Sequence, residues 1–113
     1  MATIGTRDER HDQFWEVAEP FLADGRLVEG TMMGQQCLRS AAGDSFVATV
    51  ERGTGALVVK LPRARVEELI AAGQGAAFAP AGKVFKEWVA VPQFDEHGWT
   101  SLIEESIRFV DGA

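Results

Sequence analysis

Apolar positions open the chain with a helical period. Phe14, Val17, Ala18, Phe21 and Leu22 recur at i, i+3, i+4, i+7 and i+8 and draw one stripe along a helix. Thr6 and Glu9 stand three apart ahead of that stripe, the spacing of a capping box that satisfies two otherwise orphaned backbone N–H groups. Pro20 lies inside the stripe, where it removes a donor and crowds the preceding turn, so a kink or restart is expected near Glu19. Gly25 is placed to end the helix.

From Leu27 to Leu61 the pattern shortens to β-type runs divided by turn residues. Val28 to Met33, Cys37 to Ser40, Phe46 to Val50 and Ala56 to Leu61 are the runs, joined by links that carry Gly34, Gly43, Gly53 and Gly55. Such links are too short for the crossovers that parallel pairing demands, so an antiparallel meander is expected. At Leu61-Pro62 the pattern changes again. Pro62 has the φ preferred at a first helical position, Val66, Leu69 and Ile70 supply an apolar face, and Gly73 stops the helix.

Residues 73–83 are rich in Gly, Ala and Pro and read as a loop. Val84 to Val91 reads as a strand that Pro92 ends. Trp99 to Val110 closes the chain as a helix, with Leu102, Ile103, Ser106, Ile107, Phe109 and Val110 on its buried side and Glu104 and Glu105 opposite. The order α-β-β-β-β-α-β-α predicts an α+β fold, a single domain over residues 1–113 with a core from about 6 to 111 and a sheet of about five antiparallel strands covered by helices.

Composition adds exclusions. The 113 residues have ordinary hydrophobic and charged fractions, and a chain this long buries about two-thirds of its surface without a disulfide or metal. One cysteine, Cys37, permits no internal disulfide, and a cytoplasmic location is the expectation. The N-terminus lacks the apolar segment of a signal peptide, and no apolar run approaches the length of a membrane span. The net charge of −6 argues against non-specific nucleic-acid binding. That charge is uneven, −4 over residues 1–24, +2 over 25–94 and −4 over 95–113.

Catalytic and metal chemistry find little support in the residues. His11, His97 and Cys37 stand at no metal-ligand spacing, and no cofactor or metal is expected. Cys37 reads as a small buried strand residue, and as a nucleophile only if folding brings a base to it. The run Gly43-Asp44-Ser45-Phe46-Val47 lacks the closing glycine of a nucleophile elbow. Gly82-Lys83 lacks the upstream glycine and following Ser/Thr of a phosphate loop. Glu67-Glu68 and Glu104-Glu105 read as solvated helix faces, because adjacent helical residues diverge by about 100°.

The polar feature with functional content is a cluster of cations. Lys60 ends a strand, Arg63 and Arg65 open a helix, and Lys83 and Lys86 precede Trp88. Brought together, they form a candidate anion- or partner-binding patch beside an aromatic ring, suited to phosphate or an acidic peptide. The plainer reading is a scatter of solvated charges neutralised by Glu67, Glu68 and Glu87.

Three stretches carry a family resemblance. They are Thr31-Met32-Met33-Gly34 before Cys37-Leu38, the run Leu57-Val58-Val59-Lys60-Leu61-Pro62 leading into Arg65-Val66-Glu67-Glu68-Leu69, and Phe78 to Pro80 followed by Lys86-Glu87-Trp88-Val89-Ala90-Val91-Pro92. In order and spacing, over roughly residues 10–110, the chain resembles the N-terminal domain of TfoX-type proteins and the related MmcQ/YjbR-like proteins. The resemblance implies an α+β domain with an antiparallel sheet, comparable to secretion-chaperone-like folds, and supplies no catalytic residues to carry over. TfoX-type proteins are associated with bacterial competence regulation and usually carry a second, C-terminal domain, for which these 113 residues leave no room.

The functional expectation is a noncatalytic, cytoplasmic protein-interaction module with a protein partner or a second copy of itself, and with no membrane association. The alternatives are a nucleic-acid-associated regulator using the central cations, which the acidic net charge disfavours, and a small-metabolite binder or enzyme.

Overall fold

The computed structural model describes residues 11–32 and 34–112, so the Thr6–Glu9 capping box lies outside the described residues. Helix α1 (Asp12–Ala23) is followed by strands β1 (Leu27–Met32), β2 (Gln35–Ser40), β3 (Phe46–Val50) and β4 (Leu57–Lys60). Then come helix α2 (Arg63–Ala71), the two-residue strand β5 (Ala76–Ala77), strand β6 (Trp88–Val91) and helix α3 (Glu96–Asp111). The fold is α+β, as the patterning predicts, with a six-stranded antiparallel sheet in the order β1-β2-β3-β4-β6-β5.

Three differences from the sequence expectation have physical causes. First, α1 runs through Pro20 to Ala23 as one helix, with no restart at Glu19. The buried stripe of Phe14, Val17, Ala18 and Phe21 holds both sides of the proline to the core. Gly25, at φ 82°, then ends the helix, with the Arg26 N–H donating to the Phe21 carbonyl at 3.1 Å. Second, Pro62 sits just outside α2 in an extended conformation (φ −55°, ψ 146°), and its carbonyl accepts from the Arg65 and Val66 N–H groups. Third, the strand expected over residues 84–91 begins only at Trp88, whose N–H donates to the Phe85 carbonyl in a tight turn. The sixth strand, β5, lies within the segment that reads as a loop.

The helices build the main core on one face of the sheet. Phe14, Phe21, Trp99 and Ile103 meet Leu38, Val59 and Val89 there, with Val66 and Leu69 of α2 at the β6 end. Antiparallel register assigns Cys37, Thr49, Val58 and Ala90 to one cross-strand row on the opposite face. All four are buried as well. This explains why β3 is buried at all five positions, where a sheet open on one side would alternate.

A β-bulge decides what lies over that second face. The β2–β3 register shifts between Leu38 and Arg39, which pair with Ala48 and Phe46, leaving Val47 as the extra residue. Val47 joins the helix-side core, and its carbonyl accepts the Ser106 hydroxyl from α3 at 3.2 Å. Phe46 is thereby turned to the other face, where it stacks on Trp88. Phe78 and Phe85 complete the cluster, with centroids 5.6 and 4.8 Å from Trp88.

Candidate functional site

Helix α2 and the segment that returns to β6 leave a groove between them of about 150 Å³. One wall is a single stripe of α2, Arg63, Val66, Glu67 and Ile70, at i, i+3, i+4 and i+7. The facing wall consists of Ala77 on β5, then Val84, Phe85 and Lys86, with Trp88 behind them. Ile70 is 39% exposed and Val84 51% exposed, so two of the large apolar side chains that reach solvent border the same groove. A further exposed apolar residue, Val28, lies at the far edge of the sheet on β1.

The rim is charged. Arg63 Nε contacts Glu67 Oε2 at 3.1 Å across one helical turn, with both side chains largely in solvent. Among the described residues Lys86 has no ion-pair partner. The groove therefore carries one uncompensated positive charge on a chain whose net charge is −6.

The cationic cluster expected from sequence comes together only in part. Arg63, Lys86 and Trp88 line the groove. Arg65 does not. Two residues along a helix turn the side chain by about 200°, so Arg65 leaves the opposite side of α2 and grips α3. Its Nε and Nη2 donate to the two carboxylate oxygens of Glu105 at 2.9 and 3.2 Å, and its Nη1 donates to Glu68 at 3.2 Å. The Glu105 hydrogen bond holds the guanidinium charged, raising its already high pKa. Glu104 and Glu105 are accordingly half-buried and ion-paired, Glu104 to Arg26 at 3.7 Å, where the sequence suggests a solvated face. Lys60 pairs across the sheet with Trp88, outside the groove, and Lys83 is exposed beyond the short turn at Pro80–Gly82.

Trp88, whose environment the sequence leaves open, is half-buried. It stacks on Phe46 while bordering the groove. Val66, Glu67, Ile70, Ala77, Val84 and Phe85 are the lining residues that sequence reading missed. The i, i+3, i+4, i+7 spacing of 63, 66, 67 and 70 is the signal for the three on α2, whereas Ala77, Val84 and Phe85 reach the groove only through the tertiary fold.

Two other places bring polar or reactive groups together or into the interior. A second hollow of about 180 Å³ opens on the aromatic side of the sheet between Met32, Phe78 and Pro80. Of its polar lining groups, Gln35 Nε2 donates to Thr49 Oγ1 at 2.9 Å and to the Val50 carbonyl at 2.7 Å, the Thr49 hydroxyl donates to the Gln36 carbonyl at 2.7 Å, and Arg52 donates to the Gly34 carbonyl at 3.0 Å. Cys37 has no exposed surface, and burial pushes its thiol pKa up, only partly offset by the nearby Arg39 guanidinium. A thiol in that state is a poor nucleophile. Among the described residues no group of three His, Cys, Asp or Glu side chains is placed to hold a metal ion. No described helix is long and apolar enough to cross a membrane.

Comparison with known proteins finds no matching family model, no matching curated protein and no matching solved structure.

Proposed function

We propose that this chain is a noncatalytic protein-interaction module, and that its docking surface is the groove between α2 and residues 84–88. The partner it fits is a segment with an apolar anchor flanked by carboxylates. The observation that carries this reading is the exposure of Ile70 and Val84 on one groove beside Lys86, which has no ion-pair partner among the described residues. A cavity of about 150 Å³ accommodates one leucine-, methionine- or phenylalanine-sized side chain. Lys86, the rim cation left unpaired among the described residues while Arg63 is held by Glu67, selects an acidic flank and steers it in against a background of like-charged surface.

Nucleic-acid binding draws less support. Arg63 and Arg65 both bond to carboxylates, which leaves few free cations to meet a phosphate backbone. Affiliation with the TfoX-type and YjbR-like group, and a cytoplasmic location, belong to the same proposal. They rest on the resemblance in residues and on the single buried cysteine.

The test is a titration of the protein with capped Glu-X-Glu-X-Glu peptides, X being Leu, Ile, Phe or Met, followed by tryptophan fluorescence. Trp88 borders the groove, whereas Trp15 and Trp99 are buried in the core. Saturable binding that Ile70→Glu and Lys86→Glu each weaken by about tenfold or more, with Lys83→Glu near wild type, is the expected result. Equal binding of a Lys-Leu-Lys-Leu-Lys peptide, or no binding of any acidic peptide up to about 1 mM, overturns the reading.

A further inference from the structure

The two edges of the sheet differ. β5 is two residues long and is packed against α2, whereas β1 runs for six residues along the other edge, with Val28 exposed. An open edge of that length is a template for pairing with another chain. The ladder fixes which groups it offers. The Ala41 N–H donates to the carbonyl of Arg26, which the β1–β2 register places opposite it, so these two form a hydrogen-bonded pair. Alternation then turns both backbone groups of Val28, Gly30 and Met32 toward β2 and those of Leu27, Glu29 and Thr31 away from it. β2 agrees: the Ser40 N–H and the Gln36 carbonyl, opposite Leu27 and Thr31, both bond toward β3.

Arg39 reaches across to that open edge. It leaves β2 opposite Val28, passes over Gly30 and brings Nη2 to 3.4 Å from the outward Thr31 carbonyl, while Nη1 donates to the Asp44 carbonyl at 2.7 Å. The crossing requires a missing side chain. A Cβ on Gly30 would lie 2.8 Å from Arg39 Cδ and 2.9 Å from its Nε, and Gly30 is not among the glycines with positive φ, so it provides room and not a turn. Asp44, whose carbonyl is the nearer anchor, has φ 62°, a conformation uncommon outside glycine. Among the described residues no carboxylate forms an ion pair with Arg39, so its charge arrives at the rim uncompensated.

We propose that Arg39 guards the β1 edge and keeps two copies of the chain from joining their sheets through it. A second copy is the strand always present at the concentration of the chain itself, and antiparallel pairing about a two-fold axis would satisfy both edges at once. That pairing requires an N–H of the incoming strand to reach the Thr31 carbonyl, where a guanidinium already stands as donor. Each copy also brings its own Arg39 to the shared seam, so two like charges meet there. With the guanidinium gone, the outward groups of Leu27, Glu29 and Thr31 are open to pairing and the exposed Val28 gains cover. β1 and the α2 groove lie at opposite ends of the sheet, so the guard and the docking reading are independent of each other.

Sedimentation equilibrium of the wild type, Arg39→Ala and Arg39→Met, over about 1 μM to 1 mM, tests the guard. Methionine keeps an unbranched stem over Gly30 and removes only the donors and the charge, so it carries the test if the alanine variant loses its fold. The wild type should stay monomeric, and the variants should dimerise with an affinity about tenfold or more above it. Thr31→Pro, added to each variant, separates edge pairing from general stickiness. It removes an N–H that points away from β2, so the β1–β2 ladder and the circular dichroism of the fold are retained while the dimer should revert to monomer. Folded Arg39 variants that stay monomeric, dimers that survive Thr31→Pro, or a wild type that dimerises as tightly as the variants, each overturn the proposal.

Discussion

Phe46 and Trp88 stack with ring centroids 4.3 Å apart and planes 22° from parallel, although Phe46 would face the helices if β3 alternated regularly from Ala48. The extra residue Val47 rotates it to the opposite face, where it supports the tryptophan that backs the groove. Phe46 is only 8% exposed, so Phe46→Ala removes a buried ring and should cost about 3 kcal/mol or more. Urea denaturation measures the loss. The same variant should alter the tryptophan emission of the folded state, because Trp88 loses its stacked neighbour. An unchanged midpoint and spectrum would mean that the ring contact supports nothing.

Two glycines separate close packing from conformational freedom. A Cβ on Gly75 would lie 2.6 Å from Val89 Cγ2, a stiff β-branched side chain fixed in the core, and 3.4 Å from the Ala90 carbonyl. Gly75→Ala should therefore force β5 away from β6 and cost about 1–3 kcal/mol. A Cβ on Gly30 meets Arg39 Cδ at 2.8 Å, the middle of a long exposed side chain that gives way by loosening its bonds to the Asp44 and Thr31 carbonyls. Gly30→Ala should cost less than about 1 kcal/mol. Comparing the two denaturation midpoints decides the matter, and a larger loss at Gly30 would reverse the assignment.

How much of this was legible in the chain follows from where the information is local. The stripe from Phe14 to Leu22 and the glycine-bearing links at 34, 43, 53 and 55 specify elements through neighbours a few residues away, and those elements form. β5 could not be read, because Ala76 and Ala77 have little strand propensity and pair only when Val89 and Ala90 are beside them. Val84 and Phe85 look like strand in sequence, yet they serve a turn, with Phe85 against the Trp88 ring. The cation cluster was half legible for a similar reason. Arg63 and Arg65 are neighbours along the chain and opposites around the helix, so only contacts with α3 and with residues 84–88 separate their roles.

The Arg65–Glu105 contact joins α2 to α3 over 40 residues of sequence, with side chains 37% and 28% exposed. Partial solvation limits its worth, so a double-mutant cycle of Arg65→Ala and Glu105→Gln should give a coupling of about 0.5–1 kcal/mol, smaller in high salt. Because α2 forms one wall of the groove, Arg65→Ala should also loosen acidic-peptide binding without Arg65 touching the peptide. A coupling near zero would show that apolar packing of Val66 and Leu69 alone seats the helix.

Cys37 yields a prediction with a definite sign in pH. Burial raises its thiol pKa in the folded state above the ordinary value of 9.0. Below pH 9.0 the thiol holds its proton in both the folded and unfolded chains, and its contribution to stability is fully present. As pH rises past that value the unfolded chain ionises first. The folded state then binds more protons than the unfolded one, and stability falls with a limiting slope of about 1.4 kcal/mol per pH unit for this one group until the folded thiol also titrates. Cys37→Ala removes the group and should flatten that part of the profile, so the difference between wild type and variant isolates its contribution. In native buffer a disulfide reagent such as Ellman's should modify Cys37 only at the rate at which the protein opens, and stoichiometrically once urea unfolds it. Rapid labelling of the folded protein, together with a wild-type profile parallel to that of Cys37→Ala above pH 9, would place the thiol at an accessible surface and remove the basis for treating it as packing.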